Sequence, residues 1–237
     1  MTEKFIVLDT ETTNDIDCPI AYDLGFAVID RKGNIYEKHS FVVADIFLDK
    51  ELMASAYFFE KIPMYWEQIK SGERTLTSFY NIRKCLVDVM TKYNIDIVIA
   101  HNARFDYIST ATTQRYLTKS KYRYFFPYGV EFCDIWNFAC STICQTKGYK
   151  DFCELNGYIS NRGRNYKSSA ECVYQYITNQ NTFEELHQGL ADVFIEYDIR
   201  HFACRYRILS EFSSSYNVPS IAEFIHLRRP HRSKYAL

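Results

Sequence analysis

Residues 5–14 read FIVLDTETTN. Phe5, Ile6, Val7 and Leu8 form a short apolar run of strand type, and it ends in polar residues led by Asp9 and Glu11. In extended chain a two-residue spacing puts both side chains on one face. Adjacent carboxylates repel, and they persist together by sharing a proton or by binding a cation. In open α/β sheets the carboxyl ends of strands are where sites form. From Asp9 to Asp23 the chain adds Asp15 and Asp17 and holds no Lys or Arg. A solvated acidic loop is the other reading of such a run, and one Asp-x-Glu pair alone does not choose between them.

Outward from this run, residues 22–29 (YDLGFAVI) read as a second strand. Arg31, Lys32, Gly33 and Asn34 have turn chemistry, and residues 35–43 form the returning strand. So short a turn demands an antiparallel pair. Phe79, Ile82, Leu86, Val89, Met90 and Tyr93 recur at helical spacing, with Thr77 or Ser78 placed to cap. Residues 95–100 (IDIVIA) are a continuous apolar run, as in a strand covered on both faces. Next come a helix over 104–117, a fifth strand over 130–135 and a helix over 136–144. A helical pattern then runs from 168 with a break at 179–181, and a long helix spans 189–206. This order is an α/β pattern with a mixed sheet.

The 237 residues suit one domain with a short appendage. Hydrophobic residues at 47% and charged residues at 24% are globular values, which excludes disordered and collagen-like chains. No apolar run approaches the roughly 18 residues of a membrane span. The N-terminal stretch carries no cleavage signal, so no membrane partner and a cytoplasmic location are expected. The net charge is −1, so any nucleic-acid binding must come from local patches. The eight cysteines include no Cys-x-x-Cys pair and read as reduced, mostly buried thiols. Cys133, Cys140, Cys144 and Cys153 lie close in sequence, but their irregular spacing and the lack of a nearby His speak against structural zinc. Residues 207–237 read as an extension, Ser-rich at 213–215, with a basic tail of Arg228, Arg229, Arg232 and Lys234.

Two more stretches carry chemistry. Residues 100–106 (AHNARFD) follow the apolar strand and put Asp106 in the first turn of the next helix, where it is also a plain charge partner for the helix end. Residues 183–199 (FEELHQGLADVFIEYDI) hold His187 and Asp192 five apart. On one continuous helix that spacing turns them away from each other. Gly189 lies between them, so His187 is expected on a mobile loop and Asp192 inside the helix that starts near Gly189.

Together DTETT, HNARFD and HQGLAD, in this order, resemble the three motifs of the DEDDh 3′→5′ exonucleases. That family includes the proofreading epsilon subunit of bacterial DNA polymerase III and ribonuclease T. The resemblance covers about residues 4–205; SAECVYQYI (169–177) and CDIWNFAC (133–140) also look like family segments. It implies a ribonuclease H-like fold over residues 1–206, a five-stranded mixed sheet flanked by helices. It also implies two divalent cations, Mg²⁺ or Mn²⁺, for hydrolysis of single-stranded or frayed DNA from the 3′ end to nucleoside 5′-monophosphates. Asp9 would bridge the two ions, Glu11 and Asp192 complete the first site, and Asp106 hold the second. His187 would take the proton from the attacking water. Substrate contacts fall on Thr10, Thr12, Asn102 and Phe105, with Phe105 either against a base or in the core. A polymerase or replication protein and a homodimer are implied partners, with proofreading or repair as the setting. Where the family has Gly after the first motif this chain has Asn14, which tolerates a left-handed backbone. Gly189 replaces the usual small residue and is expected to loosen the His187 loop. The epsilon subunit's His-Gly-Ile segment has no counterpart; residues 60–66 (EKIPMYW) occupy that region.

Residues 115–126 (RYLTKSKYRYFF) interleave Arg115, Lys119, Lys121 and Arg123 with aromatics and contain no acid. Such a pattern suits single-stranded nucleic acid; a solvated helix end followed by core aromatics is the other reading. Arg162, Arg164 and Lys167 form a second basic loop. An exoribonuclease trimming RNA ends and a non-catalytic module binding strand ends or a polymerase are the alternatives carried forward. A haloacid dehalogenase-type phosphatase also begins with a carboxylate pair, but it needs Asp where Glu11 stands and gives no role to His187 or Asp192.

Overall fold

The computed structural model describes residues 3–120, 123–159 and 165–213, with side chains to Cys204. Strand β1 (Lys4–Thr13) pairs antiparallel with β2 (Ile20–Asp30), and β2 pairs antiparallel with β3 (Ile35–Val43). Helices α1 (Ala44–Phe47) and α2 (Lys50–Met53), a 3-10 turn (Phe59–Lys61) and α3 (Ile62–Ser71) lead to β4 (Thr75–Thr77). Then come α4 (Phe79–Tyr93), β5 (Ile97–Ala100), α5 (Ala103–Thr118), β6 (Glu131–Asp134) and α6 (Ile135–Ser141). Helices α7 (Lys147–Leu155), α8 (Ala170–Thr178) and α9 (Gly189–Ser213) complete the described chain. Strand order is β4-β3-β2-β1-β5-β6, with β5 parallel to β1, β6 parallel to β5 and β4 parallel to β3.

The α/β class and the mixed sheet agree with the sequence reading, but the sheet has six strands where five were expected. The sixth, β4, is three residues long, too short to show any periodicity, and it pairs with Phe41–Val43 at the sheet edge. Helix α4 spans the expected residues, and Ser78 is its cap, its hydroxyl accepting from the Asn81 N–H at 3.3 Å. Helix α3 was not anticipated, although Pro63 in its first turn and Gly72 beyond its end, at φ 82°, are start and stop signals. Helix α9 begins at Gly189 as expected but runs past 206 to Ser213. Lys121, Arg162, Arg164 and the basic tail lie outside the described residues.

Strand β1 sorts its side chains by alternation. Ile6 and Leu8 enter one core cluster with Ile82, Leu86 and Val89 of α4. Phe5 and Val7 enter the other, with Ile135 and Phe138 of α6 and Val193 and Ile199 of α9. Continued past Leu8, the same alternation sends Asp9 and Glu11 toward the α9 side and Thr10 toward the α5 side. Strand β2 is buried along its whole length. Its Gly25 lies opposite Asp9, and here the start of α9 touches the sheet. A Cβ on Gly25 would stand 2.1 Å from the Leu190 nitrogen, and one on Gly189 would stand 2.6 Å from the Gly25 nitrogen. Gly189 therefore lets helix and sheet meet closely. The expectation that it loosens the loop is corrected: it fixes where α9 starts.

Candidate active site

The three motifs meet at the carboxyl end of β1. Asp9 and Glu11 pair across the strands with Gly25 and Asp23, and a register shift follows Glu11. The turn after Thr13 holds Asn14 at φ 72°, the left-handed conformation expected of it. Asp106 lies in the first turn of α5 and is 2% exposed. Its Oδ1 accepts from the Thr10 hydroxyl at 2.9 Å, and the Ser109 hydroxyl lies 2.9 Å from the same Thr10 oxygen. Asp192 lies in the first turn of α9, and its Oδ2 accepts from the Gln188 N–H at 2.7 Å. His187 precedes this helix at φ 50°, its ring stacked on Phe58 with centroids 4.3 Å apart. One ligand atom each from Glu11, His187 and Asp192 lies within 4.8 Å of the others.

Like charges and burial dominate the electrostatics. Burial, then the charge of Glu196, Asp106, Glu11 and Asp192, pushes the Asp9 carboxyl well above the usual carboxylate range. Burial, then Asp23 and Asp192, raises Glu11 to about 9 against the opposing pull of Lys61. Burial and Glu185 raise Asp192 to about 8, and burial raises Asp106 to about 8 against its hydrogen bond from Thr10. Asp192 Oδ1 and Glu196 Oε2 are buried with no hydrogen-bond partner. Oxygen donors crowded this way, two of them without partners, fit hard divalent cations such as Mg²⁺ or Mn²⁺. Burial and then the nearby Lys61 lower the His187 pKa. At neutral pH the imidazole is therefore uncharged and free to accept a proton.

The remaining expected residues are spread more widely. Thr10 is 5% exposed and its hydroxyl is committed to Asp106. Thr12 and Phe105 are half-buried. Asn102 is exposed at φ 62°, and its N–H donates to Asp134 Oδ1 at 3.0 Å. Lys119 stands at the far end of α5, its Nζ 4.4 Å above the Tyr116 ring. Thirteen residues from Asp106 (119 − 106) at 1.5 Å each put it about 20 Å along the helix. Arg123 is exposed, whereas Phe125 and Phe126 are core residues at 1% and 6%. Among the described aromatics of 115–126, Tyr116 and Tyr124 face solvent. Lys121 lies outside the described residues.

Sequence reasoning passed over Glu196, Asp23, Arg74, Gln188, Phe58 and Lys61. Glu196 is four residues from Asp192, on the same helix face, a spacing that marks a neighbour. It is 2% exposed, and its Oε1 accepts from the His101 N–H at 2.9 Å. Asp23 was visible in the acid run after β1. Phe58 and Lys61 gave no signal; Lys61 comes from residues 60–66, with Phe58 just before them, and it donates to the Leu186 carbonyl at 2.7 Å. The loop expected to be mobile is thus tied on both sides of His187.

No family model matches the chain, and no curated protein matches it. Its fold is shared with solved exonuclease I structures. E. coli exonuclease I in complex with a 5cy-dT13 oligonucleotide aligns over 90% of this chain at 11% identity and a TM-score of 0.52. The zinc ion bound form of the E. coli exonuclease I–ssDNA complex aligns over 90% at 13% identity and 0.52. The exonuclease I of Methylocaldum szegediense aligns over 88% at 15% identity and 0.55. The chain spans 42–43% of the length of these proteins. At such identities the likeness establishes the ribonuclease H-like exonuclease fold. Among the described residues no helix is long and apolar enough to cross a membrane.

Proposed function

We propose that this chain is a two-metal-dependent 3′→5′ exonuclease that hydrolyses single-stranded or frayed DNA from the 3′ end to nucleoside 5′-monophosphates. The observation that carries the reading is the convergence of Glu11 with His187 and Asp192, from two distant stretches of chain, beside Asp9 and the Asp106 of a third. The solved relatives of like fold include complexes with single-stranded DNA and a zinc-bound form, which supports the same reading.

Asp9, Glu11 and Asp192 would hold one cation, and Asp9 with Asp106 the other. Divalent ions, when bound, neutralise this acidic cluster and stabilise the attacking and leaving oxygens of an in-line displacement. Thr10 keeps the Asp106 carboxylate aimed through its 2.9 Å hydrogen bond. His187 takes the proton of the attacking water, and its lowered pKa keeps it in the accepting form. Phe105 and the backbone of Thr10 and Thr12 line the place of the terminal nucleotide.

Incubation with 5′-labelled single-stranded DNA and RNA of one sequence, with Mg²⁺ or Mn²⁺, tests the proposal. A descending ladder on DNA, abolished by a chelator, is expected. A ladder on RNA alone selects the exoribonuclease. Binding of strand ends without cleavage selects the non-catalytic module.

A further inference from the structure

Behind the His187 loop lies a buried cation that the hydrolytic chemistry does not use. Arg74 follows α3 in the turn before β4, and its side chain is 4% exposed. Every edge of its guanidinium is engaged. One terminal nitrogen meets Asp23 Oδ1 at 2.5 Å, the other donates to Gln188 Oε1 at 3.1 Å, and Nε donates to Gln68 Oε1 at 2.8 Å. The face of the group lies 4.4 Å from the Tyr65 ring centroid. Asp23 is fully buried, and its Oδ2 accepts from the Tyr65 hydroxyl at 2.7 Å and from the Gly189 N–H at 3.1 Å.

The two residues that follow His187 are therefore both held by this pair, Gln188 by Arg74 and Gly189 by Asp23. The Gln188 N–H is held separately, donating to Asp192 Oδ2 at 2.7 Å, a backbone bond that leaves Asp192 in place when the Gln188 side chain or Arg74 is changed. His187 needs the help. A non-glycine residue at φ 50° is strained by about 1–3 kcal/mol and persists where its surroundings hold it. A buried ion pair adds little net stability compared with apolar packing, so geometry is the better account of its presence. A guanidinium supplies rigid, divergent donors that an ammonium lacks.

We propose that Arg74 is a positioning residue: clamped to Asp23, it sets the His187 loop through Gln188 and so aims the imidazole at the reacting water. This rests on the hydrolytic reading above. The test uses the full chain with Arg74→Lys and Gln188→Met, alone and in a His187→Ala background. Arg74→Lys keeps a cation beside Asp23 and loses the second arm; Gln188→Met removes the acceptor from the loop side. Each is expected to lower kcat about tenfold or more while KM stays within about threefold. Neither is expected to lower the residual cleavage of His187→Ala, because the residue being aimed is gone. A readout independent of cleavage is the nuclear Overhauser contact between the His187 and Phe58 rings, present in the wild type and weakened in both variants. Full kcat with that contact intact in Arg74→Lys overturns the proposal, as does an equal loss of kcat in the His187→Ala background. If Arg74→Lys does not fold, Gln188→Met decides by the same criteria. A wild-type chain that cleaves no nucleic acid sinks the hydrolytic reading instead, and the ring contact still reports on the clamp.

Discussion

The two halves of the acidic cluster are built differently. Around Glu11 and Asp192 one protein cation acts: Lys61 pulls both pKa values down, against burial and neighbouring acids that include Asp23. Around Asp9, burial and four carboxylates act, Glu196 of α9 foremost, and every one of them raises its pKa. Asp106 there is relieved by hydrogen bonds, Thr10 first. Lys61 offsets part of the repulsion at Glu11 and Asp192, though both stay raised, to about 9 and about 8, whereas Asp9 faces acids alone. Metal dependence should therefore be strongest at Asp9, where only protons or bound ions relieve the repulsion.

Removing Asp9 should have the largest effect. Asp9→Ala is expected to lower cleavage of labelled single-stranded DNA by about a thousandfold or more, the loss that follows when several kcal/mol of charge stabilisation disappear. Its metal-free melting temperature should equal or exceed that of the wild type, since a crowded carboxylate is gone. Undiminished cleavage would erase the contrast between the halves.

Next is the pH dependence of stability. In the unfolded chain these acids lose their protons near 3.8 to 4.5, whereas Asp106 and Asp192 hold theirs to about 8 and Glu11 to about 9 in the fold. The folded state binds more protons in that window, so the cluster's contribution to stability falls as pH rises through it. Without metal, melting should drop steadily between about pH 5 and pH 9. Mg²⁺ or Mn²⁺ should restore more at pH 8 than at pH 6, because ligands must be deprotonated to bind. Scanning calorimetry checks this; equal melting with and without metal at pH 8 would count against a shared site.

A smaller change probes Asp106 alone. Thr10→Val removes the hydroxyl that aims Asp106 and should weaken Mn²⁺ binding about tenfold, the lower end of the effect of losing a ligand's supporting hydrogen bond. Unaltered affinity would mean that Asp106 needs no such support. Smallest is the effect of the basic segment over 115–126. Neutralising Lys119, Lys121 and Arg123 together should flatten the salt dependence of DNA affinity by about 2 in logarithmic slope at most, at roughly 0.7 per phosphate contact on single strands. An unchanged slope would favour a plain solvated helix end.

The carboxylates and His187 were legible because each sits at a punctuation point that local pattern reveals: a strand end, a helix's first turn, a glycine before a helix. The antiparallel pair around the short turn at 31–34 and the covered strand at 95–100 were legible for the same reason, whereas the order of strands in the sheet was not. The clamp was not. Arg74, Gln68 and Tyr65 lie 42 to 51 residues from Asp23, and Gln188 lies 114 residues from Arg74. An arginine in a Ser-Gly-Glu-Arg turn reads as solvated until the fold closes over it. Strand β4 and helices α1 and α2 were too short to carry a period. In the basic segment two readings stood open, and Phe125 and Phe126 follow the one that gave them to the core.

The most direct test is a Mn²⁺ titration followed by the electron paramagnetic resonance of the free ion, on wild type and on Asp9→Ala. Saturable uptake of two ions per chain by the wild type, with most of that binding lost in the variant, is the outcome expected of carboxylates converging on one point. No uptake, or the same uptake in both proteins, would contradict it.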